Sequence, residues 1–126
     1  MDNVKHDSSF GRQKRLLTKS DYQYVFDNAP FKASSQNFLL LAKPSLGPKS
    51  RLGLVIAKKH VKTAVGRNRI KRHARELFRY QKEGALALDM VLLARSGAGS
   101  LDTKLVQLAI SKMIEKVQTQ ASRNVS

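Results

Sequence analysis

The apolar residues of this chain change their spacing several times, and these changes limit the folds it can adopt. Residues 38–42 are five consecutive apolar residues, and the seven at 88–94, LDMVLLA, are almost as apolar. Between these runs, the segment 52–57 alternates larger apolar residues with mostly smaller ones, among them Gly53 and Ala57. Runs of about 4–8 residues are typical of strands. We therefore expect three strands, with the run at 38–42 buried on both faces.

Helical spacing precedes the first of these strands. In LLTKSDYQYVF, Thr18 and Asp21 stand three residues apart, as in the capping box that begins a helix. Apolar side chains then recur at i, i+3 and i+4, the spacing of one helix face: Tyr22, Val25 and Phe26. Pro30 ends this short amphipathic helix, and residues 31–37 are predicted to form a turn or a short edge strand.

Two further helices are predicted downstream. From about Thr63 to Lys82 the apolar spacing is helical again, and Gly84 ends this segment. Its inward-facing residues are Ile70, Ala74, Leu77, Phe78 and Gln81. After the loop SGAGS, Ser100 or Asp102 caps a last helix. Its inward-facing residues are Val106, Ala109, Ile110, Met113 and Val117.

The order of these elements, α-β-β-β-α-β-α, predicts the fold class. We expect an α+β protein in which three helices pack on a four-stranded, mostly antiparallel sheet. The 126 residues suit one domain. We assign residues 12–122 to that domain, residues 1–11 to a disordered leader and residues 123–126 to a flexible C-terminus.

Positive charge is concentrated in one segment. The chain has 24 Lys and Arg against nine Asp and Glu, a formal net charge of +15. Residues 58–79 contain nine of the cations and a single anion, Glu76, so they carry more than half of that net charge. A solvated helix face would mix both signs, whereas clustered like charges repel unless an anionic partner neutralises them. Because Arg predominates over Lys between Gly66 and Tyr80, RNA or DNA phosphates are favoured over acidic lipid.

A rotation of about 100° per residue divides the predicted basic helix into sides. Beside the apolar side lies an electropositive side made of Asn68, Lys71, Arg72, Arg75, Arg79 and Lys82. Arg67 falls at the edge of the apolar side, where the helix start meets the sheet, and Arg69 points away from both sides. We expect one side to dock on the sheet and its neighbour to bind phosphates.

Several function classes are disfavoured by what the sequence lacks. Without Cys there are no disulfides and no zinc fingers. No apolar run approaches the ~20 residues of a membrane-spanning helix, and MDNVKHDSSF has no apolar signal segment, so we expect a cytoplasmic protein without membrane contact. The acidic residues form no pair suited to two metal ions, and His60 and His73 are poorly placed for acid–base cleavage of RNA. We therefore assign no catalytic residue and no metal ligand.

The first helix carries two aromatic residues, Tyr22 and Phe26, four positions apart. Aromatic residues at this spacing are more often part of a core than platforms for bases. However, Gly53 and Ala57 leave one face of the neighbouring strand open, and an aromatic groove beside cations is how single-stranded RNA is held. Both roles can coexist.

Four segments, in this order, resemble the bacterial ribonuclease P protein subunit. LLTKSDYQYVF is similar to the family's first helix, and RLGLVIAKKHVKTAV to a strand and the loop after it. GRNRIKRHAREL, at 66–77, closely resembles the family signature, an Arg-Asn-Arg motif in a basic helix. LDMVLLARSG looks like its last strand. The resemblance extends over about residues 15–117.

The resemblance implies an α/β sandwich with a left-handed crossover from a strand through the basic helix to the next strand. It implies two partners: the catalytic RNA of a ribonucleoprotein, with one protein per RNA, and the precursor transfer RNA whose 5′ leader that ribonucleoprotein removes. By this resemblance the catalytic RNA contacts Arg67, Asn68, Arg69, Lys71, Arg72 and Arg75. A cleft for the single-stranded leader contains Tyr22, Phe26, Leu41, Lys58 and Lys59. Leu41 stands where some relatives have an aromatic residue.

In that family, hydrolysis depends on Mg²⁺ bound by the RNA, so this chain is expected to be an accessory subunit. Two other interpretations remain open at this point. A small basic ribosomal protein would have the same composition, although it would not need a cleft for single strands. A stand-alone nuclease would need catalytic side chains that the sequence does not clearly offer.

Overall fold

A computed structural model describes residues 14–79 and 86–125 of the chain. Its helices and strands are α1 (Lys19–Asp27), β1 (Phe31–Ser34), β2 (Phe38–Pro44), β3 (Arg51–Val55), α2 (Ala64–Arg79), β4 (Leu88–Ala94) and α3 (Thr103–Val125). The predicted order α-β-β-β-α-β-α is confirmed. The expectations for residues 1–11 and for Gln81, Lys82 and Gly84 lie outside the described residues. Helix α3 runs to Val125, beyond the residue at which we expected the folded domain to end.

The four strands form one sheet in the order β1-β2-β4-β3. Strand β2 pairs antiparallel with both β1 and β4, whereas β3 and β4 are parallel. Parallel neighbours need a crossover connection, and α2 lies in the connection between β3 and β4. The mostly antiparallel sheet is therefore confirmed, while the hand of the crossover stays a prediction.

One face of the sheet, which we call the core face, packs against α2 and α3. Its buried strand residues are Phe31, Ala33, Phe38, Leu40, Ala42, Leu52, Leu88, Met90, Leu92 and Ala94. Helix α2 contributes Ile70, Ala74 and Phe78, the residues that helical spacing predicted to face inward. Helix α3 contributes Val106, Ile110, Met113 and Val117 in the same way. Alternation in the strands and the 3.6-residue period in the helices thus meet in one apolar layer.

The opposite face, which we call the α1 face, is covered only in part. Leu16, Val25 and Val91 form a small buried cluster there, with Tyr22 and Leu41 packed against it. The prediction that residues 38–42 are buried on both faces is wrong for this side, because Leu39 and Leu41 are only half-buried. The nine-residue helix α1 is too short to cover the sheet.

The expectation that Gly53 leaves this face open is also wrong. Gly53 is buried, and a Cβ atom added to it would lie 2.6 Å from Cε2 of Tyr22. The tyrosine ring occupies the space that the glycine provides. Gly53 therefore lets α1 approach β3 closely.

Polar caps begin α1 and α3. The Asp21 carboxylate accepts hydrogen bonds from the backbone N–H groups of Leu17 (2.9 Å) and Thr18 (3.0 Å), and the Thr18 hydroxyl accepts one from the Asp21 N–H. The predicted capping box is present, and these two amides hold the pKa of Asp21 below its usual range. At α3, the Asp102 carboxylate accepts a hydrogen bond from the Leu105 N–H at 2.9 Å, so Asp102 is its cap.

Within residues 14–79 and 86–125, none of the helices has both the length and the apolar character that spanning a membrane requires.

Candidate nucleic-acid interface

The electropositive side of α2 forms a shallow groove, which we call the helix groove, with a volume of about 330 Å³. It is lined by Asn68, Arg72, Arg75, Glu76 and Arg79. Glu76, the anion among them, lies 2.9 Å from a guanidinium nitrogen of Arg79. The helix groove is available because Ile70, Ala74 and Phe78 fix the opposite side of α2 against the sheet.

Two arginines of the Arg-Asn-Arg motif make hydrogen bonds inside the protein. Nη1 of Arg67 donates to the carbonyl oxygens of Val61 (3.0 Å) and Lys62 (3.1 Å), so Arg67 holds the loop that follows β3. Nη2 of Arg69 donates to the carbonyl oxygen of Leu101 at 3.4 Å. Arg69 is half-buried there, so the side of α2 that points away from the groove meets the segment before α3.

A second, smaller cavity lies between α2 and the segment before α1. This cavity, which we call the seam cavity, has a volume of about 160 Å³. Its polar lining consists of Arg15, Tyr22, Lys71 and Arg75. Arg75 lines both the seam cavity and the helix groove, so it joins the two. Burial lowers the pKa of the Arg75 guanidinium, and the nearby charge of Arg15 lowers it further.

Arg15 was not among the site residues predicted from the sequence. It reaches the cavity because it forms a parallel β-bridge with Leu52, and the N–H of the next residue, Leu16, donates to the carbonyl oxygen of Leu52 at 3.1 Å. A bridge of one residue has no periodic signal in a sequence. The only sequence signal beside Arg15 is the apolar Leu16.

The two aromatic residues of α1 lie together and differ in burial. The ring centroids of Tyr22 and Phe26 are 6.4 Å apart, with an angle of 37° between the planes. Tyr22 packs over Gly53, and its hydroxyl oxygen accepts a hydrogen bond from the Leu54 N–H at 3.2 Å. The side chain of Phe26 is 43% exposed. Tyr22 is therefore packed against the small apolar cluster of the α1 face, and Phe26 offers a ring to solvent.

The other predicted cleft residues are only partly brought together. Leu41 lies on the α1 face in the same small cluster as Tyr22. Lys58 and Lys59 are exposed in a turn that follows β3, beyond Val55. Cross-strand pairing also puts Val55 and Leu93 side by side, half-buried, on this face. Neither residue was predicted to lie in the cleft.

An unexpected ion pair lies on the α1 face. Asp89, the second residue of β4, is fully buried, and its carboxylate accepts hydrogen bonds from Nη2 (2.7 Å) and Nε (3.1 Å) of Arg51. This contact raises the pKa of Arg51. A guanidinium nitrogen of Arg51 also lies 3.5 Å from Asp21. Both carboxylates therefore have structural partners.

Comparison with known proteins decides the family. The sequence profile of the family Ribonuclease P matches residues 10–118. The chain belongs to this family. A relative from Chromohalobacter salexigens, named ribonuclease P protein component, is 41% identical over 112 residues, which cover 89% of this chain and 88% of the relative. Another, from Saccharophagus degradans, is 50% identical over 93 residues, which cover 74% of this chain and 69% of the relative.

Solved structures agree with this assignment. The ribonuclease P protein of Staphylococcus aureus superposes with a TM-score of 0.72 at 29% identity, covering 82% of this chain and 96% of that one. The protein from Thermotoga maritima gives a TM-score of 0.66 at 24% identity, covering 83% and 96%, and this likeness concerns the fold alone. The resemblance noted in the sequence and the fold class predicted from it are both confirmed.

Membership in the ribonuclease P family has direct consequences. The chain is a ribonuclease P protein component, part of an endoribonuclease that processes transfer RNA, and it has an RNA partner. Within the described residues of this ribonuclease P protein, no three His, Asp or Glu side chains are grouped as a metal site would require. His73 has a structural neighbour, because its Nδ1 lies 3.3 Å from Nε2 of Gln107.

Proposed function

We propose that this chain binds the catalytic RNA of ribonuclease P and the single-stranded 5′ leader of precursor transfer RNA at two adjoining surfaces, with one protein per RNA. By holding both partners, it assists the endonucleolytic removal of the leader. The bond cleavage itself belongs to the catalytic RNA in this proposal. The observation that carries the proposal is the position of Arg75, which lines the helix groove and also the cavity beside Tyr22.

The helix groove is the proposed surface for the catalytic RNA. Asn68 and Arg72 are exposed there, and Arg75 completes the cationic lining. Guanidinium groups on one helix side can each make bidentate contacts to phosphates of a structured RNA. Arg67 keeps donors beyond the Nη1 that holds the loop, so it can contact RNA as well, whereas Arg69 acts by positioning α2. Lys71 faces the seam cavity.

The α1 face is the proposed surface for the leader. Phe26 offers an exposed ring, and Tyr22 supports it from a fixed position. Aromatic side chains stack on unpaired bases with little dependence on sequence. Leu41 adds apolar contact area, and Lys58 and Lys59 lie beyond the end of β3, where they can meet the leader's phosphates.

Mg²⁺ is proposed to be bound mainly by the RNA. The fully buried Asp89 is paired with Arg51. Asp21 caps the start of α1. No step of the proposal uses a metal ion held by protein side chains.

Reconstitution tests this proposal. Precursor transfer RNA is incubated in Mg²⁺ with the protein alone, with the catalytic RNA alone and with both. We expect the protein alone to leave the precursor intact, and the combination to cleave at the mature 5′ end faster than the RNA alone at low salt. Cleavage at that site by the protein alone would overturn the proposal.

A second measurement separates this function from that of a ribosomal protein. The RNA that copurifies with the tagged protein is sequenced. We expect one structured RNA together with unprocessed precursors of transfer RNA. Recovery of ribosomal RNA as the main species would contradict the proposed function.

A further inference from the structure

Within the described part of the chain, β1 and β3 are the outer strands of the sheet. The outer edge of such a strand is a row of backbone N–H and C=O groups that point away from the sheet. This row is a template on which an extended segment of another chain can pair. The contacts made at the two edges therefore determine how easily copies of the chain add to each other.

Groups from outside the sheet occupy the edge of β3. The Leu52 carbonyl oxygen accepts a hydrogen bond from the Leu16 N–H at 3.1 Å. The Leu54 N–H donates to the Tyr22 hydroxyl oxygen at 3.2 Å. Because Leu52 and Leu54 are two residues apart, their backbone groups lie on the same edge of the strand. The segment before α1 and the start of α1 thus fill two positions of this edge.

At β1, one side chain holds both backbone groups of a single residue. Oε1 of Gln120, on α3, accepts a hydrogen bond from the Lys32 N–H at 3.1 Å, and its Nε2 donates to the Lys32 carbonyl oxygen at 2.9 Å. We call this pair of hydrogen bonds the edge clamp. A residue in a neighbouring antiparallel strand would exchange the same two hydrogen bonds with Lys32. The Gln120 carboxamide therefore takes the place of a paired strand.

The edge clamp lies on the outer edge of β1. The Ser35 N–H donates to the Phe38 carbonyl oxygen at 2.9 Å, toward β2, and the direction of the backbone groups alternates along a strand. Lys32 and Ser34 therefore face outward, and they are the two outward-facing residues of this four-residue strand. Pro30, just before β1, has no N–H to offer a partner. The clamp thus occupies half of a short edge.

Other residues dock this part of α3 on the sheet. Val117 and Ala121, on either side of Gln120 in the sequence, are fully buried in the core. Lys32 is exposed, and water can hydrogen-bond its backbone about as well as Gln120 does. Neither the packing of α3 nor the hydrogen bonding of Lys32 therefore requires a glutamine at position 120. A side chain held at this place differs from water because it also excludes a second strand.

Positive charge separates free copies of the chain only while it is not neutralised. The net charge of +15 makes free copies repel one another. RNA phosphates neutralise this charge when the protein binds its RNA partner, and salt screens it. Under either condition an open β1 edge would meet the same edge of a second copy. A contact that does not depend on charge is then needed to keep the edges apart.

We propose that Gln120 prevents the β1 edge from pairing with the β1 edge of a second copy of this chain. It does so by occupying the backbone N–H and C=O of Lys32, the groups that a partner strand would bind. This inference concerns self-association, so it stands or falls separately from the proposed function.

Gln120→Ala tests the proposal because it opens the edge. Sedimentation velocity of the full chain is recorded over a range of protein concentrations at high salt, where repulsion between copies is screened. We expect the self-association constant to rise by roughly tenfold or more, since a symmetric pair gains hydrogen bonds at Lys32 of both copies. Equal association constants for Gln120→Ala and the wild type would overturn the proposal.

Thr119→Ala is the matched control on the same turn of α3. Its exposed hydroxyl donates to the Glu115 carbonyl oxygen at 3.0 Å, within the helix, and it makes no contact with β1. The association constant of this variant should stay within twofold of the wild type. Self-association as strong as that of Gln120→Ala would assign the effect to α3 itself and contradict the proposed role of the edge.

Adding Lys32→Pro to Gln120→Ala separates an open edge from a loss of stability. Proline removes the N–H that a partner strand would bind, and it is tolerated in edge strands where that N–H faces outward. We expect the association constant of the double variant to return toward the wild-type value. Association that persists in a folded double variant would arise from lower stability, and the proposal would be wrong.

Hydrogen exchange provides a measurement that needs only the single variant. In dilute Gln120→Ala, the Lys32 amide proton should exchange roughly tenfold faster than in the wild type, because its hydrogen bond to Gln120 is lost. As the protein concentration rises, the exchange should slow again while copies pair through this edge. Exchange at Lys32 that does not change with concentration, in a variant that does self-associate, would place the association elsewhere and refute the proposal.

Discussion

The two faces of the sheet are built from the same four strands but by different rules. The core face is a continuous apolar layer beneath α2 and α3. The α1 face combines a small apolar cluster, an ion pair between the partly exposed Arg51 and the buried Asp89, a glycine beneath a tyrosine ring and an exposed phenylalanine. The core face therefore specifies the fold, whereas the α1 face, which buries less apolar surface, carries the features that the proposed function assigns to RNA binding.

The largest expected effect concerns the ion pair. Arg51→Ala leaves the Asp89 carboxylate buried without its charged partner, so we expect the free energy of unfolding to fall by about 3–5 kcal/mol. Leu40→Ala, on the core face, should cost a similar ~2–5 kcal/mol by opening a cavity. Urea unfolding at pH 7 measures both.

The double variant Arg51→Met with Asp89→Leu is the matched control for this pair. Because it removes both charges and keeps most of the volume, its stability should return to within about 1–2 kcal/mol of the wild type. If Arg51→Ala lowers the free energy of unfolding by less than about 1 kcal/mol, the stability of the α1 face does not depend on this ion pair.

Gly53→Ala tests the contact between β3 and α1. Its new methyl group would lie 2.6 Å from Cε2 of Tyr22, so the ring must move, at a cost of about 1–3 kcal/mol. Thermal melting measures the cost. Gly47→Ala is the control, since no atom lies within 4 Å of the added Cβ, and its effect should be within about 0.5 kcal/mol. Equal melting temperatures for the two variants would refute the close packing of Tyr22.

Phe26→Ala separates binding from stability on the same face. Loss of one stacked base should weaken the complex's preference for precursor over mature transfer RNA by about 1–3 kcal/mol. Because the ring is 43% exposed, melting should change much less than for Val25→Ala, which truncates a fully buried side chain. Leu46→Ala removes another exposed apolar side chain and should leave the preference unchanged. An unaltered preference in Phe26→Ala would remove Phe26 from the leader surface.

The sequence predicts the core face of the sheet better than the α1 face. On the core face, alternation from Leu52 to Ile56 and helical spacing from Ile70 to Phe78 identified buried residues, because both signals arise from one-sided burial along a single element. The run at 38–42 shows no alternation, and it led to the wrong expectation of burial on both faces. The strand order β1-β2-β4-β3 did not follow from them, since it depends on pairing between distant segments.

The sequence predicted fewer of the side-chain positions on the α1 face and around the basic helix. Arg51 and Asp89 are 38 residues apart and became partners only through the parallel pairing of β3 with β4. Arg15 was missed because its place depends on one β-bridge. The charge density of α2 was plain in the sequence, but which arginines face solvent was not, because α3 and the loop after β3 occupy two sides of the helix.

The cap of α1 gives a pH-dependent prediction. The pKa of Asp21 is lowered by the Leu17 and Thr18 amides, so its contribution to stability is present above the unfolded value of 3.8. That contribution is lost as pH falls through the lower, folded pKa. Asp21→Asn should therefore be less stable than the wild type by about 1 kcal/mol at pH 7, and the difference should fade below pH ~4.

Denaturant unfolding between pH 3 and pH 7 measures how the difference in stability between the wild type and Asp21→Asn changes with pH. Asp27→Asn, which changes an exposed acid at the other end of the same helix, should not reproduce it. A constant difference between wild type and Asp21→Asn across this range would show that the charge of Asp21 does not stabilise the cap.

The smallest expected effect concerns two arginines of α2. They differ as the two faces of the sheet do, because one packs inside the protein and the other faces solvent. Arg69 donates to the Leu101 carbonyl, and its Nε is buried with no hydrogen-bond partner among the described residues. Arg72 is exposed in the helix groove. If Arg69 holds the helix and Arg72 binds phosphate, Arg72→Gln should reduce the salt slope of log K for catalytic RNA by about 0.7 to 0.9. Arg69→Gln should leave the slope unchanged.

Both variants remove one positive charge from the same helix, so the change in net charge is matched between them. Affinity alone would not separate the roles, because a tilted helix also binds more weakly. The slope separates them, since it counts the counterions that phosphate contacts release and is insensitive to a loss of fit. Equal reductions in the two variants would mean that Arg69 leaves Leu101 to reach the RNA, and that the side of α2 facing α3 also belongs to the binding surface.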